Sequence, residues 1–520
     1  MRETGPTVSI DFSSSELVAL KRELGRQLAT SRQAVEIGQQ QVAHRTGYSR
    51  SSVAHAEAGR QLLTRDFWRT ADELVKADGV LLAEYDRIRA VMQEHERQSR
   101  EMQLVGAWAG NQRLRHENND AHYLTSCSTT APAADAVVKA SQQAWCTVRR
   151  HLIRHRTQLA KQAVNLYNPA WRVMHAPALA QPNWLPLRPM PIETVTLEWV
   201  SDPPRPVITG HEAELRPVLP LRMPGHAFSQ YTSVIRYLSP PSLFENRPTY
   251  RLLDVSWKPS GQGKLQFGLA TFFDKLDVSE ALGHEFAAAA MVHGSPTWRQ
   301  LPFRARLSEP FNLASRMTGT SIATLTIRRN TNDGSHTFFL LGRDPSKVAV
   351  GGGQYGVIPA GEFQPSCIAP PCMVDDLDLW RNVVREYSEE LLGEPEHDGS
   401  SGQPLDYDCW PFYRSMQRAR ESGRLRAYVL GVVLHALGLN PAIMTVVVID
   451  DVIFDDLFRD RVMVNAEGQV VTSLNGDQSV YGLEFTEATV RQFLEREPFG
   501  GTSAACLALA WQHREYLLRH

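Results

Sequence analysis

The sequence predicts a multidomain protein, with an all-α amino-terminal domain and a mixed α/β (α+β) carboxy-terminal domain built around a sheet. Three observations predict this fold class. The chain of 520 residues is too long for one core, at roughly 150 residues per domain. Apolar residues recur every three or four positions through residues 13–103, which indicates helices. From residue 250 onward, short β-like runs alternate with helical segments, which is typical of a mixed sheet.

Composition and charge exclude several classes of protein. Hydrophobic residues make up 42% of the chain and charged residues 22%, which is ordinary for a globular protein and atypical of disordered chains or coiled-coil rods. The net charge of −2 excludes a uniformly basic nucleic-acid coat protein, but it allows opposite charges to be segregated between domains. Because the sequence contains no run of about 18 apolar residues and no export signal, we expect a cytoplasmic protein without a membrane partner.

The cysteines do not indicate a disulfide-stabilised scaffold. There are six in the whole chain, and a cytoplasmic location would keep them reduced. Cys367 and Cys372 are close enough in sequence to bind a metal together, but no second pair of matching spacing accompanies them. We therefore expect buried or incidental thiols, with a structural zinc site as the alternative.

Composition divides the chain into a first domain at 13–103, a connecting region at 104–249 and a last domain at 250–520. The connecting region contains a basic helix at 134–163, which is either a dimer contact or a helix packed on its own domain. It also contains eleven prolines between 177 and 224. Because proline disfavours helices and central strands, we expect this segment to run extended over a neighbouring surface.

The last domain is predicted to alternate strands with helices. The predicted strands are 265–273, 322–328, 336–342, 427–434 and 442–448. The predicted helices are 278–291, 377–392, 410–422, 490–495 and 504–519. His435 follows one apolar run directly, so we expect it to be a satisfied core histidine rather than a ligand-binding residue.

Residues 37–60 predict two short helices joined by a tight turn. Four apolar residues have the spacing that turns the inner faces of the two helices toward each other: Val42, Ala43, Val53 and Ala56. Gly47 permits the turn, and Ser49 is placed to cap the second helix. The segment therefore predicts a helix-turn-helix.

The outer side of this helix pair carries polar and basic side chains suited to a DNA major groove. The residues predicted to contact DNA are Gln39, Gln40, Arg50, Ser51, Ser52, His55 and Arg60. Those on the second helix would reach base edges, and the two glutamines would lie against the backbone. Between residues 21 and 69 there are nine basic and four acidic residues, a local charge of +5. A phosphate-facing surface needs that sign.

At these residues the chain resembles the lambda-repressor-like (Xre-type) helix-turn-helix family, over about residues 17–90. The matching positions are Gln39, Ala43, Gly47, Ser49, Arg50, Val53, Glu57 and Gly59. The resemblance implies binding to double-stranded DNA, and a single helix-turn-helix usually binds two half-sites as a dimer. The alternative is a small helical bundle that serves only protein contacts.

A second motif places three carboxylates on one helix. Glu386, Glu389 and Glu390 have the spacing of one helical face, which could hold a hard cation such as Mg²⁺. The complementary apolar stripe consists of Leu379, Val383, Tyr387 and Leu391. Residues 375–398 contain nine acidic and two basic side chains, a local charge of −7.

Here the chain resembles the Nudix family, over about residues 250–490. Arg385 and the three glutamates match the core of the family's signature. The resemblance implies a metal at Glu386, Glu389 and Glu390, with Arg385 orienting these glutamates. We assign ligand binding to Gly361, Glu362 and Arg385. However, Gly361 lies ten residues too early for the signature glycine, and the loop carries an insertion that contains Cys367 and Cys372. These departures favour a degenerate ligand-binding domain with no assigned catalytic residue.

Together the motifs predict a DNA-binding transcription regulator, dimeric, whose Nudix-like domain senses a nucleotide-like or other small ligand. No cofactor is assigned apart from the Mg²⁺ that the glutamate helix would bind. The first alternative is a Mg²⁺-dependent hydrolase of nucleoside-diphosphate-linked substrates, which the helix-turn-helix only localises. The second is a ligand-free platform for protein contacts. The alternative interpretation of the glutamate helix is a surface helix whose charges only keep it soluble.

Overall fold

The structure is a computed structural model. It describes residues 14–89, 131–224, 226–241, 244–258, 261–343, 353–368, 370–394, 404–459, 468–471 and 482–519. The chain divides into two compact units, Met1–Thr130 and Ala131–His520. The part of the first predicted domain beyond residue 89, and the linker before residue 131, lie outside the described residues.

The described part of the smaller unit is helical, as predicted. Its helices are α1 (Ser14–Ala34), α2 (Gln39–Thr46), α3 (Arg50–Glu57), α4 (Arg65–Val75) and α5 (80–89). The four residues predicted to face inward on α2 and α3 are buried in one core with Leu24, Leu28 and Phe67. The buried carboxylate of Asp72 accepts hydrogen bonds from the backbone N–H groups of Gly79 and Leu81, at 2.6 and 2.7 Å. It therefore fixes the turn between α4 and α5.

The larger unit contains the remaining helices. They are α6 (Ala131–Arg154), α7 (Arg156–Ala163), α8 (Tyr231–Leu238), α9 (Phe272–His293), α10 (Pro302–Ala305), α11 (Pro370–Asp375), α12 (Leu379–Leu392), α13 (Pro411–Glu421), α14 (Asp451–Leu457), α15 (Glu487–Glu495), α16 (Gly501–Gln512) and α17 (Arg514–Leu517). The predicted helices within 250–520 are all present. The predicted helix at 134–163 is present but breaks at His155.

The strands of the larger unit include every predicted one. They are β1 (Ala178–Leu179), β2 (Met190–Pro191), β3 (Val195–Trp199), β4 (Pro248–Lys258), β5 (Gln262–Thr271), β6 (Ser321–Arg329), β7 (His336–Phe338), β8 (Leu340–Arg343), β9 (Tyr355–Val357), β10 (Ala360–Glu362), β11 (Leu425–His435), β12 (Pro441–Asp450), β13 (Gly468–Val471) and β14 (Leu483–Glu484).

The central sheet is mixed and has the order β1-β11-β12-β6-β7-β14, with β10 also paired to β6 and β2 to β11. The β12–β6 pair is parallel, and the other pairs in this sheet are antiparallel. Two three-stranded sheets, β13-β8-β9 and β3-β5-β4, complete the described strands. The β11 and β12 strands are buried almost end to end, as their continuous apolar sequence predicts.

The predicted boundary at residue 250 does not coincide with a division between compact units. Residues 131–249 belong to the larger unit, because β3 pairs with β5 and α6 packs on α9. The proline-rich segment forms turns and the short edge strands β1 and β2 on β11. Of the two interpretations of the basic helix, the structure shows the helix docked on its own domain.

An ion-pair network anchors that docked helix. Arg149 of α6 and Arg156 of α7 both bind the carboxylate of Glu280 on α9, and all three side chains are buried. Burial alone would raise the pKa of Glu280, but the charges and hydrogen bonds of Arg156 and Arg149 outweigh it and hold the pKa at about 2. The carboxylate is therefore ionised across the physiological range.

The expectation of reduced thiols is wrong for one pair of cysteines. Cys367 and Cys372 form a disulfide with a Cα–Cα distance of 5.8 Å, which lies within the range for such bonds. Sequence spacing shows that the two residues can approach each other, but the turn that brings the sulfur atoms together depends on the fold. Cys146, Cys409 and Cys506 are free thiols.

Candidate functional site

The helix-turn-helix has the turn and the cap that its sequence predicts. α2 ends at Gly47, whose φ of 75° lies in the left-handed region, where a residue with a side chain would be strained. The hydroxyl of Ser49 accepts a hydrogen bond from the backbone N–H of Ser52 at 3.0 Å and caps α3. A backbone N–H group at the start of α3 therefore has a hydrogen-bond acceptor within the same segment.

The predicted DNA-contacting residues differ in exposure. Gln40, Arg50, Ser51 and Arg60 are exposed, and Gln39 and His55 are half-buried. Ser52 is only 3% exposed, and its hydroxyl is 2.8 Å from that of Ser49. Ser52 therefore belongs to the cap of α3 and is not available to a base edge.

A partly buried polar network fixes Gln39 at the start of α2. Its side-chain amide donates to Glu57 at 2.8 Å, and Arg32 of α1 donates to the two oxygens of the same carboxylate at 2.5 and 3.1 Å. Bidentate pairing of this kind sets orientation as well as distance. Arg32 and Glu57 thus tie α1, α2 and α3 together behind the exposed surface.

The larger unit contains a cavity of about 300 Å³ that brings several residues of the second motif together. Gly361, Glu362, Glu386 and Glu389 all line it. The carboxylate of Glu386 lies directly over Gly361, where a Cβ would collide with it. A side chain at this point of β10 would therefore displace the Glu386 carboxylate from its present position.

Glu362 is held by two partners at the cavity wall. It accepts a hydrogen bond from the Thr249 hydroxyl at 2.7 Å and forms an ion pair with Lys275 of α9. Both charged side chains are largely shielded from solvent. Because the carboxylate is already paired, Glu362 shapes the cavity more than it supplies an open ligand group.

Two residues of the predicted site lie elsewhere. Arg385 is buried and donates to the Tyr407 hydroxyl and to the carbonyl of Gln364, so it holds the segment before α12. The carboxylate of Glu390 is buried and accepts from the backbone N–H of Ala360 at 3.2 Å. Arg385 therefore has a structural role, and ligand binding by Arg385 stays a prediction.

The three glutamates of α12 do not form a metal site together. Within the described residues there is no group of three or more His, Cys, Asp or Glu side chains that could hold a metal ion. The reason lies in their directions, since Glu390 faces the backbone of β10 while Glu386 and Glu389 line the cavity. The four apolar residues predicted for the other side of α12 are buried, as expected.

Another part of the cavity wall consists of residues that the sequence did not single out for function. It includes Arg343 of β8, His435 at the end of β11, and the first turn of α16 around Ser503. His435 lines the cavity and is not simply a core residue. One local signal could have indicated this wall, because Gly500 and Gly501 begin an apolar helix without a side-chain cap.

The comparison with protein families identifies the smaller unit. Residues 23–85 match a family model described as a helix-turn-helix domain, and the match includes the whole of α2 and α3. No curated protein matches the chain. The chain thus carries the kind of domain found in DNA-binding regulators, whereas the Nudix-like resemblance of the larger unit stays a prediction. In the described residues, no helix is long and apolar enough to cross a membrane.

Proposed function

We propose that the chain is a sequence-specific, double-stranded-DNA-binding transcription regulator that acts as a homodimer. We further propose that its larger unit senses a nucleotide-like or other small ligand in the cavity beside Gly361. The observation that carries the proposal is the exposed start of α3, Arg50 and Ser51, within a matched helix-turn-helix domain. A recognition helix reads bases with the residues of its first turn.

The surroundings of α3 support DNA binding. The local charge of +5 between residues 21 and 69 supplies the electrostatic attraction that dominates affinity for the phosphate backbone. Gln40 and Arg60 are exposed on the same short segment, and amide and guanidinium groups position a protein on phosphates. The Arg32–Glu57–Gln39 network keeps α2 and α3 in a fixed relation, which direct base readout requires.

The sensing role is supported by the cavity itself. A pocket of about 300 Å³ is at the lower limit of the size typical for small-molecule sites. Its lining combines aromatic residues such as Phe272 and Tyr355 with charged residues from several elements. A ligand bound there changes DNA affinity only by binding one conformation or assembly more tightly than another.

The proposal is tested by selecting bound sequences from random DNA with the full-length protein, and by mapping its binding sites across the genome. We expect one recurrent motif with two half-sites about one helical turn apart, as a dimeric helix-turn-helix requires. Enrichment of no motif, with only salt-sensitive uniform binding, would contradict sequence-specific regulation. A single half-site would contradict the homodimer alone.

One rival keeps a specific observation in its favour. Glu386 and Glu389 line the same cavity, so a Mg²⁺-dependent hydrolase of nucleoside-diphosphate-linked substrates is the second candidate. Magnesium-dependent phosphate release from a nucleotide panel, abolished in Glu389→Gln and retained in Glu394→Gln, would establish it. Absence of release from every nucleotide would leave the sensing role.

A further inference from the structure

The first turn of α16 presents hydrogen-bond donors without acceptors to the cavity. Gly500 is its N-cap and provides no side chain, although its carbonyl accepts the first helical bond from Ala504 at 2.7 Å. The first backbone N–H groups of a helix have no partner within the helix. In the part of the chain that the structure describes, those of Gly501, Thr502 and Ser503 have no other partner, and all three residues line the cavity.

The side chain of Ser503 gives a second indication of a ligand. Ser503 is only 7% exposed and lines the cavity. Within the described residues its hydroxyl has no hydrogen-bond partner, so it can donate to or accept from a group in the cavity. A Cβ added to Gly356 would lie 3.4 Å from the Oγ of Ser503 and 3.8 Å from the Nε of Arg343. Hydroxyl and guanidinium therefore approach the same space.

His435 contributes a further donor on this wall. Its Nδ1 is 3.4 Å from the backbone N–H of Gly438, which donates to it. The neutral ring therefore carries its proton on Nε2, and this atom lies 3.1 Å from the position of a Cβ on Gly501. Desolvation, with the charge of Arg156, lowers the pKa of His435 to about 3. The ring is thus a neutral N–H donor at physiological pH.

From this geometry we propose that the α16 wall binds the phosphate group of a small phosphate ester. Donors from the backbone, a hydroxyl, an imidazole and a guanidinium line one cavity, and a tetrahedral oxyanion with several acceptor oxygens needs several such donors. Glu386 and Glu389 line the same cavity, so the rest of the ligand carries hydroxyl or amino donors. The inference rests on the proposed sensing role and names the ligand class for that site.

A charge-reversing variant tests the site in the full-length protein. Ser503→Asp places a carboxylate in the first turn of α16, where it favours the helix but repels an anion. Thr489→Asp is the matched control, because Thr489 is likewise the third residue of α15 and does not line the cavity. Inorganic phosphate is the probe, and its binding is measured by ³¹P NMR line broadening and by calorimetry.

We expect saturable phosphate binding by the wild type and by Thr489→Asp, and binding at least about tenfold weaker in Ser503→Asp because of like-charge repulsion. Ser503→Ala removes only one donor and should weaken binding by about three- to tenfold, which keeps the test valid if the aspartate variant does not fold. Equal binding by wild type and Ser503→Asp would overturn the proposal. Absence of wild-type binding at about 10 mM phosphate would do the same.

The same samples separate this inference from the proposed DNA-binding function. Arg50 lies in the smaller unit, so the Arg50→Ala variant should bind phosphate as the wild type does. If phosphate binding fails while selection on random DNA yields a motif, only the phosphate site is rejected. If phosphate binds as expected but no motif emerges, only the DNA-binding function is rejected.

Discussion

The helix-turn-helix surface and the cavity of the larger unit obtain their functional side chains in different ways. Residues 39–60 supply the surface that we propose to face DNA, and Arg50 and Ser51 project from a helix that Ser49 caps. The cavity collects residues as distant in sequence as Arg156 and Ser503. Several of its charged residues also hold the fold. Substitutions of exposed residues on the first surface, such as Arg50, should therefore change binding alone, whereas many in the cavity should change stability as well.

The largest effect is expected where a cavity residue is part of the buried ion-pair network. Glu280→Gln leaves Arg149 and Arg156 buried without a counter-charge, which should cost about 3–5 kcal/mol of unfolding free energy. Urea unfolding measures it, with Glu23→Gln as the control, because Glu23 pairs with Arg26 on the exposed side of α1. We expect the control midpoint to stay unchanged. An unchanged midpoint in Glu280→Gln would show that the network does not stabilise the larger unit.

A second effect concerns the pH dependence of stability. Asp277 of α9 is buried, and burial raises its pKa to about 6, although the backbone N–H of Thr232 donates to it at 2.7 Å. Because the folded pKa lies above the ordinary value of 3.8, the folded state binds the proton more tightly. The contribution of Asp277 to unfolding free energy is therefore greatest below about pH 4 and declines as the pH rises to about 6.

Asp277→Asn removes this titration and keeps an acceptor for Thr232. At pH 8 the variant should be more stable than the wild type by about 3 kcal/mol, from a pKa that burial raises from 3.8 to about 6. Near pH 4 the two proteins should have nearly equal stability. Urea midpoints at both pH values measure the difference, and a constant difference at the two pH values would contradict the assignment.

Smaller effects follow from the starts of α3 and α16. Ser49→Ala removes the cap of α3 and should cost about 1 kcal/mol in the smaller unit.

Gly500→Ser supplies a cap to α16, and its extended backbone at φ −61° and ψ 138° accommodates serine. It should stabilise the larger unit by about 0.5 kcal/mol while weakening phosphate binding, because the new hydroxyl occupies a donor. Urea denaturation measures the stability changes of the two variants, and phosphate titration measures the affinity of Gly500→Ser. Unweakened phosphate binding in Gly500→Ser would contradict the α16 site.

The same contrast explains which features can be predicted from the sequence. Gly47, Ser49 and Val53 lie within one turn and one helix, so their spacing specifies the helix-turn-helix locally. The burial of Tyr387 on α12 is likewise a matter of helical period. His435 and Ser503 become neighbours of one cavity only through the packing of α16 against β11. No spacing within either segment predicts that contact.

Residues within a predicted motif can still turn in different directions. Glu386 and Glu390 are one helical turn apart, yet one lines the cavity and the other accepts from Ala360 of β10. The local charge of −7 is therefore not a single acidic face. Asp378 caps α12, and Asp376 accepts from the hydroxyl of Tyr407 at 2.9 Å. The number of charges can be read from the sequence, whereas the role of each carboxylate depends on its tertiary contacts.

The most direct test of the central claim is the DNA specificity of Arg50→Ala, measured by salt titration against the selected motif and a scrambled sequence. Arg87→Ala on α5 is the control, because that arginine is exposed and paired with Glu84 at 2.7 Å. We expect Arg50→Ala to lose about 1–3 kcal/mol of discrimination between the sequences, and Arg87→Ala to retain it. Undiminished discrimination in Arg50→Ala would contradict α3 as the recognition helix.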